Sequence, residues 1–271
     1  MSVELGIIGA GNMAEAIARG VIASKVFSPD QIIAVDVSPD RRAIFTTQLQ
    51  IRAVESSLDA ARDAKIVLLS VKPQQMKEVL GQLGAALRLD ALVISIAAGI
   101  SSKFIESHLG ARSNWRVIRT MPNTPMLVGE GMVALSAGAH ASAADLATAR
   151  RIFESSAAVI EVTEDQIDAV TAVSGSGPAY FFFLVEQMIR AGVEMGLTPE
   201  HARTLAARTA LGSAKMLLTS SESPQELRRK VTSPGGTTHA AISHMETNGW
   251  PDITTSALHA ACARSKELGS A

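Results

Sequence analysis

The sequence predicts an α/β protein in two parts, a doubly wound parallel β-sheet over residues 1–162 and an all-helical part over residues 163–271. Three observations support this prediction. Short apolar runs alternate with helical patterns through the first part. A glycine-rich turn follows the first apolar run directly. From residue 163 onward the alternation stops, and only helical patterns follow.

Composition and charge exclude several classes of function. The chain has 271 residues and a formal net charge of −1, and its longest basic run is at residues 228–230. Nucleic-acid and membrane partners are therefore not expected, and a small-molecule partner is. The longest apolar run, residues 91–100, is too short to cross a bilayer, and the N-terminus lacks the basic start of a signal peptide. A single cysteine, Cys262, forms no internal disulfide, which favours a cytoplasmic protein.

The first element is predicted to be a strand over residues 3–8 that leads through a tight turn into a helix. Gly9 permits the turn, and Gly11 lets the backbone approach a pyrophosphate. Ala14 keeps the helix close to the strand. This order of strand, turn and helix is typical of a Rossmann domain that binds a dinucleotide.

The second strand, predicted over residues 32–35, ends in Asp36. A carboxylate there accepts hydrogen bonds from the 2′-hydroxyl of an adenosine ribose, which favours NAD. Ser38, Arg41 and Arg42 follow closely and are suited to the 2′-phosphate of NADP. The sequence leaves both cofactors open. It also leaves open a structural role for Asp36 as the cap of the next turn.

Three further strands are predicted over residues 65–71, 91–97 and 115–119, with helices between them. In open α/β sheets ligands bind outside the carboxyl ends of the strands, so we expect the nicotinamide and its ribose there. The candidate residues in these loops are Val71, Lys72, Pro73, Ala98, Gly99 and Asn123. An ordinary solvated charge is the alternative for Lys72, and a plain turn is the alternative for Asn123.

Two more apolar runs, residues 130–136 and 157–162, extend the sheet, with a helix over residues 143–153 between them. A capping box formed by Thr163 and Gln166 then begins the helical part, and we place the domain boundary there. Helices are predicted over residues 164–172, 178–195, 199–219, 224–231, 238–248 and 254–268, with Gly249 and Gly269 as C-caps of the last two.

The helical part is expected to form a homodimer. The helix from Pro178 is apolar nearly all round, and the next helix is dense in small residues that allow helices to approach closely. About a hundred residues of helix are too few to surround such a core unaided. We therefore expect the apolar surface of these helices to be buried between two subunits.

Two small-residue loops, residues 173–180 and 232–238, are candidate anion sites. Each is expected to lead into a helix N-terminus, where free N–H groups and the helix dipole hold a carboxylate; a plain turn is the alternative for either alone. The nearest histidine, His239, points away from whatever the neighbouring Thr238 faces, so no general base is evident. An imine substrate needs only a donor at nitrogen, a carboxylate anchor and an oriented cofactor.

Six motifs resemble those of the bacterial pyrroline-5-carboxylate reductases, in the same order and spacing along essentially the whole chain. They lie at residues 9–13, 71–73, 95–99, 121–125, 174–180 and 233–238, and the last two are highly specific to that family. The resemblance implies NAD(P)H-dependent reduction of 1-pyrroline-5-carboxylate to L-proline, the last step of proline biosynthesis. It also implies a Rossmann domain, an interleaved helical dimerisation domain and, often, a ring of five dimers.

The resemblance implies roles for individual residues. It implies that the substrate carboxylate is bound by the N–H groups of Ser233, Gly236, Thr237 and Thr238. It also implies that the hydroxyl of Thr238, the catalytic candidate, forms a hydrogen bond with the ring nitrogen of the substrate. Glu164 matches a position near the substrate amine, and Ser176 lies in the loop opposite. With the loop candidates above, the expected cofactor residues are Gly9, Gly11, Asn12, Met13, Asp36, Ser38, Ser56, Val71, Lys72, Pro73, Ala98, Gly99 and Asn123. No metal is expected. Many relatives have a neutral or hydroxyl residue at Asp36, so the acid here argues against a strict NADPH preference.

Two other functions are weighed against this one. A β-hydroxyacid dehydrogenase of similar build needs a catalytic lysine four residues past the last glycine of its loop, where this chain has Phe181. A non-catalytic dinucleotide sensor would keep Gly9 and Gly11 but would have no reason to keep the loop at residues 233–238. Replacement of Thr238 distinguishes the sensor from the reductase.

Overall fold

Short apolar runs, four of which are buried along their whole length, build the first part of the molecule. In the computed structural model, which describes residues 3–110 and 114–270, these runs pair into one eight-stranded sheet of order β3-β2-β1-β4-β5-β6-β7-β8. The strands are β1 (Leu5–Ile8), β2 (Ile32–Val35), β3 (Arg52–Val54), β4 (Ile66–Leu69), β5 (Leu92–Ser95), β6 (Arg116–Pro122), β7 (Gly131–Ala137) and β8 (Ala157–Glu161). Every neighbouring pair is parallel except β6 and β7.

Helices cover both faces of this sheet. They are α1 (Asn12–Ala23), α2 (Pro39–Gln48), α3 (Ser57–Ala61), α4 (Met76–Leu83), α5 (Ser102–His108) and α6 (Ala143–Phe153). Leu5 and Ile7 belong to one buried cluster with residues of α1, α2 and α6, whereas Ile8 belongs to a second cluster with residues of α3, α4 and α5. Side chains along a strand point alternately to opposite faces, so a strand buried on both sides contributes to two cores. The predicted doubly wound sheet is confirmed.

The sheet differs from the prediction in two respects. The edge strand β3 was missed because it is only three residues long and none of them is fully buried. The strand β7, predicted only as an extension of the sheet, runs antiparallel to β6. The connection between these two strands holds only a 3₁₀ turn, Thr124–Val128, and is too short for the crossover that a parallel pair requires.

Contacts between residues divide the chain into two compact units. The sheet unit comprises Met1–Gly175 and Ala261–Ala271, and the helical unit comprises Ser176–Ala260. Residues 163–175 therefore pack with the sheet, although they follow the predicted boundary after Val162. That boundary, as a division between domains, stays a prediction.

The segment after the sheet is helical throughout. It contains a 3₁₀ turn (Glu164–Gln166), α7 (Ile167–Val170) and a π-helical turn (Thr171–Gly175). The prediction of a loop over the first residues of 173–180 is therefore wrong. Small residues allow this wide turn to lie close to β6: a Cβ atom on Gly175 would lie 2.3 Å from the Cε of Met121.

The helical unit is built from longer helices with strong start signals. They are α8 (Gly177–Glu194), α9 (Pro199–Thr219), α10 (Pro224–Lys230), α11 (Thr237–Thr247) and α12 (Trp250–Ser270), the last of which ends in the sheet unit. The side chains of Thr198 and Ser223 cap α9 and α10. Helix α12 begins four residues before its predicted start and continues through Gly269, so Gly269 is not a C-cap. Within the described residues, no helix is long and apolar enough to span a membrane.

Candidate active site

A cleft of about 520 Å³ lies at the carboxyl ends of β1, β2 and β4. Strand β1 pairs with β2 on one side and with β4 on the other, so the chain leaves β1 in one direction and later returns on the opposite side. This reversal of strand order is where open α/β sheets bind nucleotides. Six of the predicted cofactor residues line the cleft: Gly9, Gly11, Asp36, Ser56, Val71 and Lys72.

The two glycines of the first turn have different reasons to be glycine. Gly9 has a φ of +96°, and a Cβ atom on it would lie 2.6 Å from the carbonyl oxygen of Ser70. Gly9 therefore allows β1 and the loop after β4 to lie side by side. Gly11 is the N-cap of α1, and no atom lies within 4 Å of the position its Cβ would take. This open space at a helix N-terminus suits a pyrophosphate.

Asp36 is fixed at the end of β2 by two backbone groups. Its Oδ2 accepts a hydrogen bond of 2.9 Å from the N–H of Ala10, and its Oδ1 accepts one of 2.9 Å from the N–H of Ser38. The second of these bonds is the turn cap that was weighed as an alternative. Because the residue also lines the cleft, it stands where an adenosine ribose is bound in this fold.

The cationic and hydroxyl side chains beyond Asp36 have protein partners. Arg41 donates to the carbonyl of Ala10 at 2.6 Å and pairs with Glu15 at 2.9 Å. Arg42 donates to the carbonyl of Asp36 at 2.7 Å and contacts Glu55 at 3.4 Å.

Ser38, proposed from the sequence as a cofactor residue, caps α2. Its side chain accepts a hydrogen bond of 3.4 Å from the N–H of Arg41. Ser38 is not among the residues that line the cleft.

Six other predicted cofactor residues also lie outside the cleft wall. Asn12 is exposed at the start of α1, and Met13 packs against the core. Pro73 begins a 3₁₀ turn, and Ala98 and Gly99 form the loop after β5. Asn123 is buried: its Oδ1 accepts from the N–H of Met132 at 2.8 Å, and its Nδ2 donates to the carbonyl of Ser174 at 3.2 Å. These bonds favour a role for Asn123 in shaping the loop.

The sequence analysis missed several residues of the cleft wall. Glu55 comes from the loop after β3, Ser57 begins α3, and Glu78 comes from α4. Glu55 and Ser57 could not be located because β3 itself was not predicted. Glu78 lies in the first turn of α4, where an acid is equally common as a helix-dipole partner, so its position in the sequence carried no distinct signal.

The second predicted substrate loop is confirmed as a turn that leads into a helix. Gly235 has a φ of +73°, and the N–H of Gly236 donates to the carbonyl of Ser233 at 3.0 Å. Gly236 is the N-cap of α11, and no side chain caps this helix. A Cβ atom on Gly236 would lie 2.7 Å from the Oγ of Ser233 and 3.1 Å from its carbonyl oxygen, so a larger residue here would require Ser233 to shift. The first N–H groups of α11, from Thr237 onward, lack intrahelical acceptors.

Thr238 is half-buried in the first turn of α11, and Ser233 is exposed. Ser176 is half-buried directly before α8, with helical backbone angles. Because the π-helical turn runs almost directly into α8, the expected anion site at the start of α8 is not a separate loop.

Glu164 is turned toward other residues of the sheet unit. Its carboxylate accepts hydrogen bonds from the N–H and Oγ of Ser102 at 3.1 and 3.0 Å. It also pairs with Arg119 at 3.0 Å, and the Arg119 side chain is only 5% exposed. These contacts support a positioning role for Glu164, and its contact with a substrate amine stays a prediction.

The described residues contain no cluster of three or more His, Cys, Asp or Glu side chains that could hold a metal ion. The cleft residues instead fit a dinucleotide. An uncapped helix N-terminus lies beside the open Gly11, and a fixed carboxylate lies at the end of β2.

Comparison with known proteins adds the family. Residues 164–268 match the model for pyrroline-5-carboxylate reductase dimerisation, and residues 4–99 match that for coenzyme F420-dependent NADP oxidoreductase. The helical part is therefore an oligomerisation domain, and the sheet part belongs to an NAD(P)-binding class.

Relatives cover nearly the whole chain. The pyrroline-5-carboxylate reductase of Pseudomonas aeruginosa is 46% identical over 98% of this chain and 96% of its own length. That of Synechocystis sp. is 42% identical over 99% of both chains.

Solved structures agree. A pyrroline-5-carboxylate reductase from Coxiella burnetii superposes with a TM-score of 0.90 at 38% identity, and it covers 99% of each chain. A Plasmodium falciparum pyrroline carboxylate reductase with NADP bound superposes with a TM-score of 0.89 at 30% identity, over 98% of each chain. A 3-hydroxyisobutyrate dehydrogenase from Mycobacterium tuberculosis, at 15% identity and a TM-score of 0.51, shares the fold alone. With its dinucleotide cleft, its dimerisation domain and these full-length relatives, the chain belongs to the NAD(P)H-dependent pyrroline-5-carboxylate reductase family.

Proposed function

We propose that this chain reduces 1-pyrroline-5-carboxylate to L-proline, the reaction that gives its family its name, and that the loop before α11 binds the substrate carboxylate. The observation that carries the assignment is the uncapped N-terminus of α11 behind Gly235 and Gly236. Its free N–H groups and the positive end of the helix dipole attract an anion. Ser233 and Thr237 add hydroxyls beside these N–H groups.

Thr238 is assigned to the ring nitrogen. Its hydroxyl donates a hydrogen bond to that nitrogen, which becomes more basic as a hydride adds to the neighbouring carbon. The proton that the nitrogen gains comes through Thr238 or from water. No general base is needed, because the substrate has a C=N bond and carries no hydroxyl proton to remove.

The cleft at the end of β1 is assigned to NADPH or NADH. The nicotinamide supplies the hydride that reduces the imine carbon. Gly11 and the N-terminus of α1 are assigned to the pyrophosphate, and Asp36 to the adenosine ribose. Ala98 and Gly99, in the loop after β5, are assigned to the nicotinamide half. The proposed set of cofactor-binding residues also includes Asn12, Met13, Ser56, Val71, Lys72 and Pro73.

Thr238→Ala tests the substrate assignment. We expect kcat with 1-pyrroline-5-carboxylate to fall about 10²- to 10³-fold, which is the cost of removing one oriented donor, and NADH binding to stay unchanged. Thr238→Ser keeps the hydroxyl and should recover most of the activity. The control is Thr148→Ala, which removes an exposed hydroxyl that bonds only to the carbonyl of Ala144 in α6. Unchanged turnover in Thr238→Ala would remove the role given to Thr238.

The reaction itself is tested by steady-state oxidation of NADH and NADPH with 1-pyrroline-5-carboxylate. Turnover with either cofactor supports the reductase. If the folded protein bound NADH but oxidised neither cofactor with this substrate, the dinucleotide-sensing alternative would replace it.

The proposal also covers the oligomeric assembly of the protein and its location in the cell. We propose a dimer formed through α8 and α9, with five dimers in a ring as the larger assembly. The large apolar side chains that α8 exposes support the dimer. The single cysteine, Cys262, is compatible with a reducing cytoplasm, where we place the reaction.

A further inference from the structure

The loop after β5 packs against the far end of the chain. Gly99 is buried in this loop and has a φ of +76°. A Cβ atom on Gly99 would lie 2.9 Å from the Cβ of Leu268. A Cβ atom on Gly269 would lie 2.3 Å from the carbonyl oxygen of Gly99. Because Cβ atoms do not approach other atoms so closely, two glycines far apart in sequence depend on each other.

A series of polar contacts links the other end of the same loop to α12. Ser102, the first residue of α5, donates twice to the carboxylate of Glu164. Arg119 on β6 joins Glu164 at 3.0 Å to Asp168 at 3.5 Å. Ser265 of α12 donates to Asp168 at 2.7 Å. Both the middle and the end of the loop are therefore connected to residues 265–269.

The arginine and the serine of this series are shielded from water. Arg119 is 4% exposed and Ser265 is 3% exposed, so their hydrogen bonds are stronger than the same bonds on a surface. A pocket of about 260 Å³ has Gly99, Arg119, Ser265 and Gly269 in its wall. The two sets of contacts therefore border the same space.

We propose that the end of α12, residues 265–269, is a positioning element for the cofactor loop at residues 97–99. This inference rests on the proposed placement of Ala98 and Gly99 at the nicotinamide. The helix end acts on the loop directly through Gly269. It also acts indirectly, through Ser265, Asp168, Arg119 and Glu164, on Ser102. A displacement of the helix end therefore moves the loop, while the adenosine half of the cleft stays in place.

Gly269→Ala tests the direct contact. The added methyl group must displace the Gly99 carbonyl, so the nicotinamide half of the cofactor should lose its fit. We expect the dissociation constant for NADH, measured by calorimetry without substrate, to rise at least about fivefold, a change of about 1 kcal/mol. The dissociation constant for ADP-ribose, which lacks the nicotinamide, should stay the same. Gly81→Ala is the control, because no atom lies within 4 Å of its Cβ position on α4.

Ser265→Ala tests the indirect contact, with Ser107→Ala as its control on the exposed face of α5. We expect a smaller loss, again for NADH and not for ADP-ribose, and a raised KM for the cofactor with kcat within about twofold of the wild type.

The binding experiment needs no substrate, so its outcome is separate from that of the proposed reaction. If both variants bind NADH as tightly as the wild type, or if both ligands weaken equally, the helix end does not position the loop. If the wild type binds NADH but does not reduce 1-pyrroline-5-carboxylate, the proposed reaction fails while the positioning role is still decided by the two ligands.

Discussion

Asp36 has a structural role and, in the proposed cofactor site, a selective role in the same carboxylate. Two backbone N–H groups fix its two oxygens, so the charge cannot turn away from the cleft without losing both hydrogen bonds. The arginines nearby are held by other acids, Arg41 by Glu15 and Arg42 by Glu55. A 2′-phosphate at this place would therefore meet a fixed negative charge and cations that are already partnered, which favours a ribose hydroxyl.

Asp36→Ser is expected to shift the cofactor preference toward NADPH. The variant removes the repulsion, so the ratio of kcat/KM for NADPH to that for NADH should rise about tenfold, or about 1.4 kcal/mol. The measurement is steady-state oxidation of the two cofactors with 1-pyrroline-5-carboxylate. Asp40→Ser, which removes an exposed acid in the first turn of α2, is the control and should leave the ratio unchanged. A ratio that stayed the same in Asp36→Ser would show that the carboxylate does not discriminate.

At the scale of elements, Glu15 joins α1 to α2. Its carboxylate accepts from Arg19 one turn later at 2.8 Å and from Arg41 on α2 at 2.9 Å. Partial burial acts to raise the pKa of Glu15, but the hydrogen bonds and charges of Arg19 and Arg41 outweigh it, so the pKa lies below its usual value of 4.5. The two helices that flank the cofactor turn are thus held together by an ionised acid.

This lowered pKa makes a stability contribution that depends on pH. A group whose pKa is lower in the folded state stabilises the fold above its unfolded value of 4.5, and the contribution is lost as the pH falls through the folded value. Glu15→Gln should therefore lower the midpoint of urea unfolding at pH 7 and have progressively less effect below pH 4.5. Glu154→Gln is the control, because that acid, the C-cap of α6, pairs with Arg150 one turn earlier and is 52% exposed. An effect of Glu15→Gln that did not decline with acidification would contradict this account.

At the scale of the whole molecule, the helical unit has almost no core of its own. All of its residues are described, and the only buried apolar side chains in Ser176–Ala260 are Ala202 and Ala206. Phe181, Phe182 and Phe183 of α8 are 63%, 70% and 61% exposed in the single chain. Consecutive residues point to different sides of a helix, so this helix is apolar around much of its circumference. A second subunit is required to cover it.

Phe182→Glu is expected to disrupt the assembly. A charge in an apolar interface carries a desolvation cost that no partner offsets, so the variant should elute at a smaller mass than the wild type in size-exclusion chromatography with light scattering. It should also unfold at a lower temperature, because the apolar surface of the helical unit is no longer buried by a second subunit. Leu89→Glu, a change at a 76% exposed side chain of the sheet unit, should keep the wild-type mass. A variant Phe182→Glu of unchanged mass would place the interface elsewhere.

The sequence by itself determined the doubly wound sheet, the cofactor turn and the helical half. These features depend on local patterns: a strand buried on both faces is a continuous apolar run, the geometry of the turn requires Gly9, and Gly11 leaves open space at the start of α1. The loop at Gly235 and Gly236 was equally local, so its place before α11 could be predicted. Local patterns failed where they were ambiguous, as in the short strand β3 and in the π-helical turn, whose small residues also suit a loop.

Only the tertiary structure decided which partners the charged and closely packed residues have. Glu164 meets Arg119 and Ser102, Arg41 meets Glu15, and Gly99 meets Gly269. Each of these contacts joins residues that are far apart in the sequence, and no periodicity, cap or turn rule specifies such a pair. The distance between two such residues is set by how the strands and helices pack, because in a close-packed interior the position of each side chain depends on all of its neighbours.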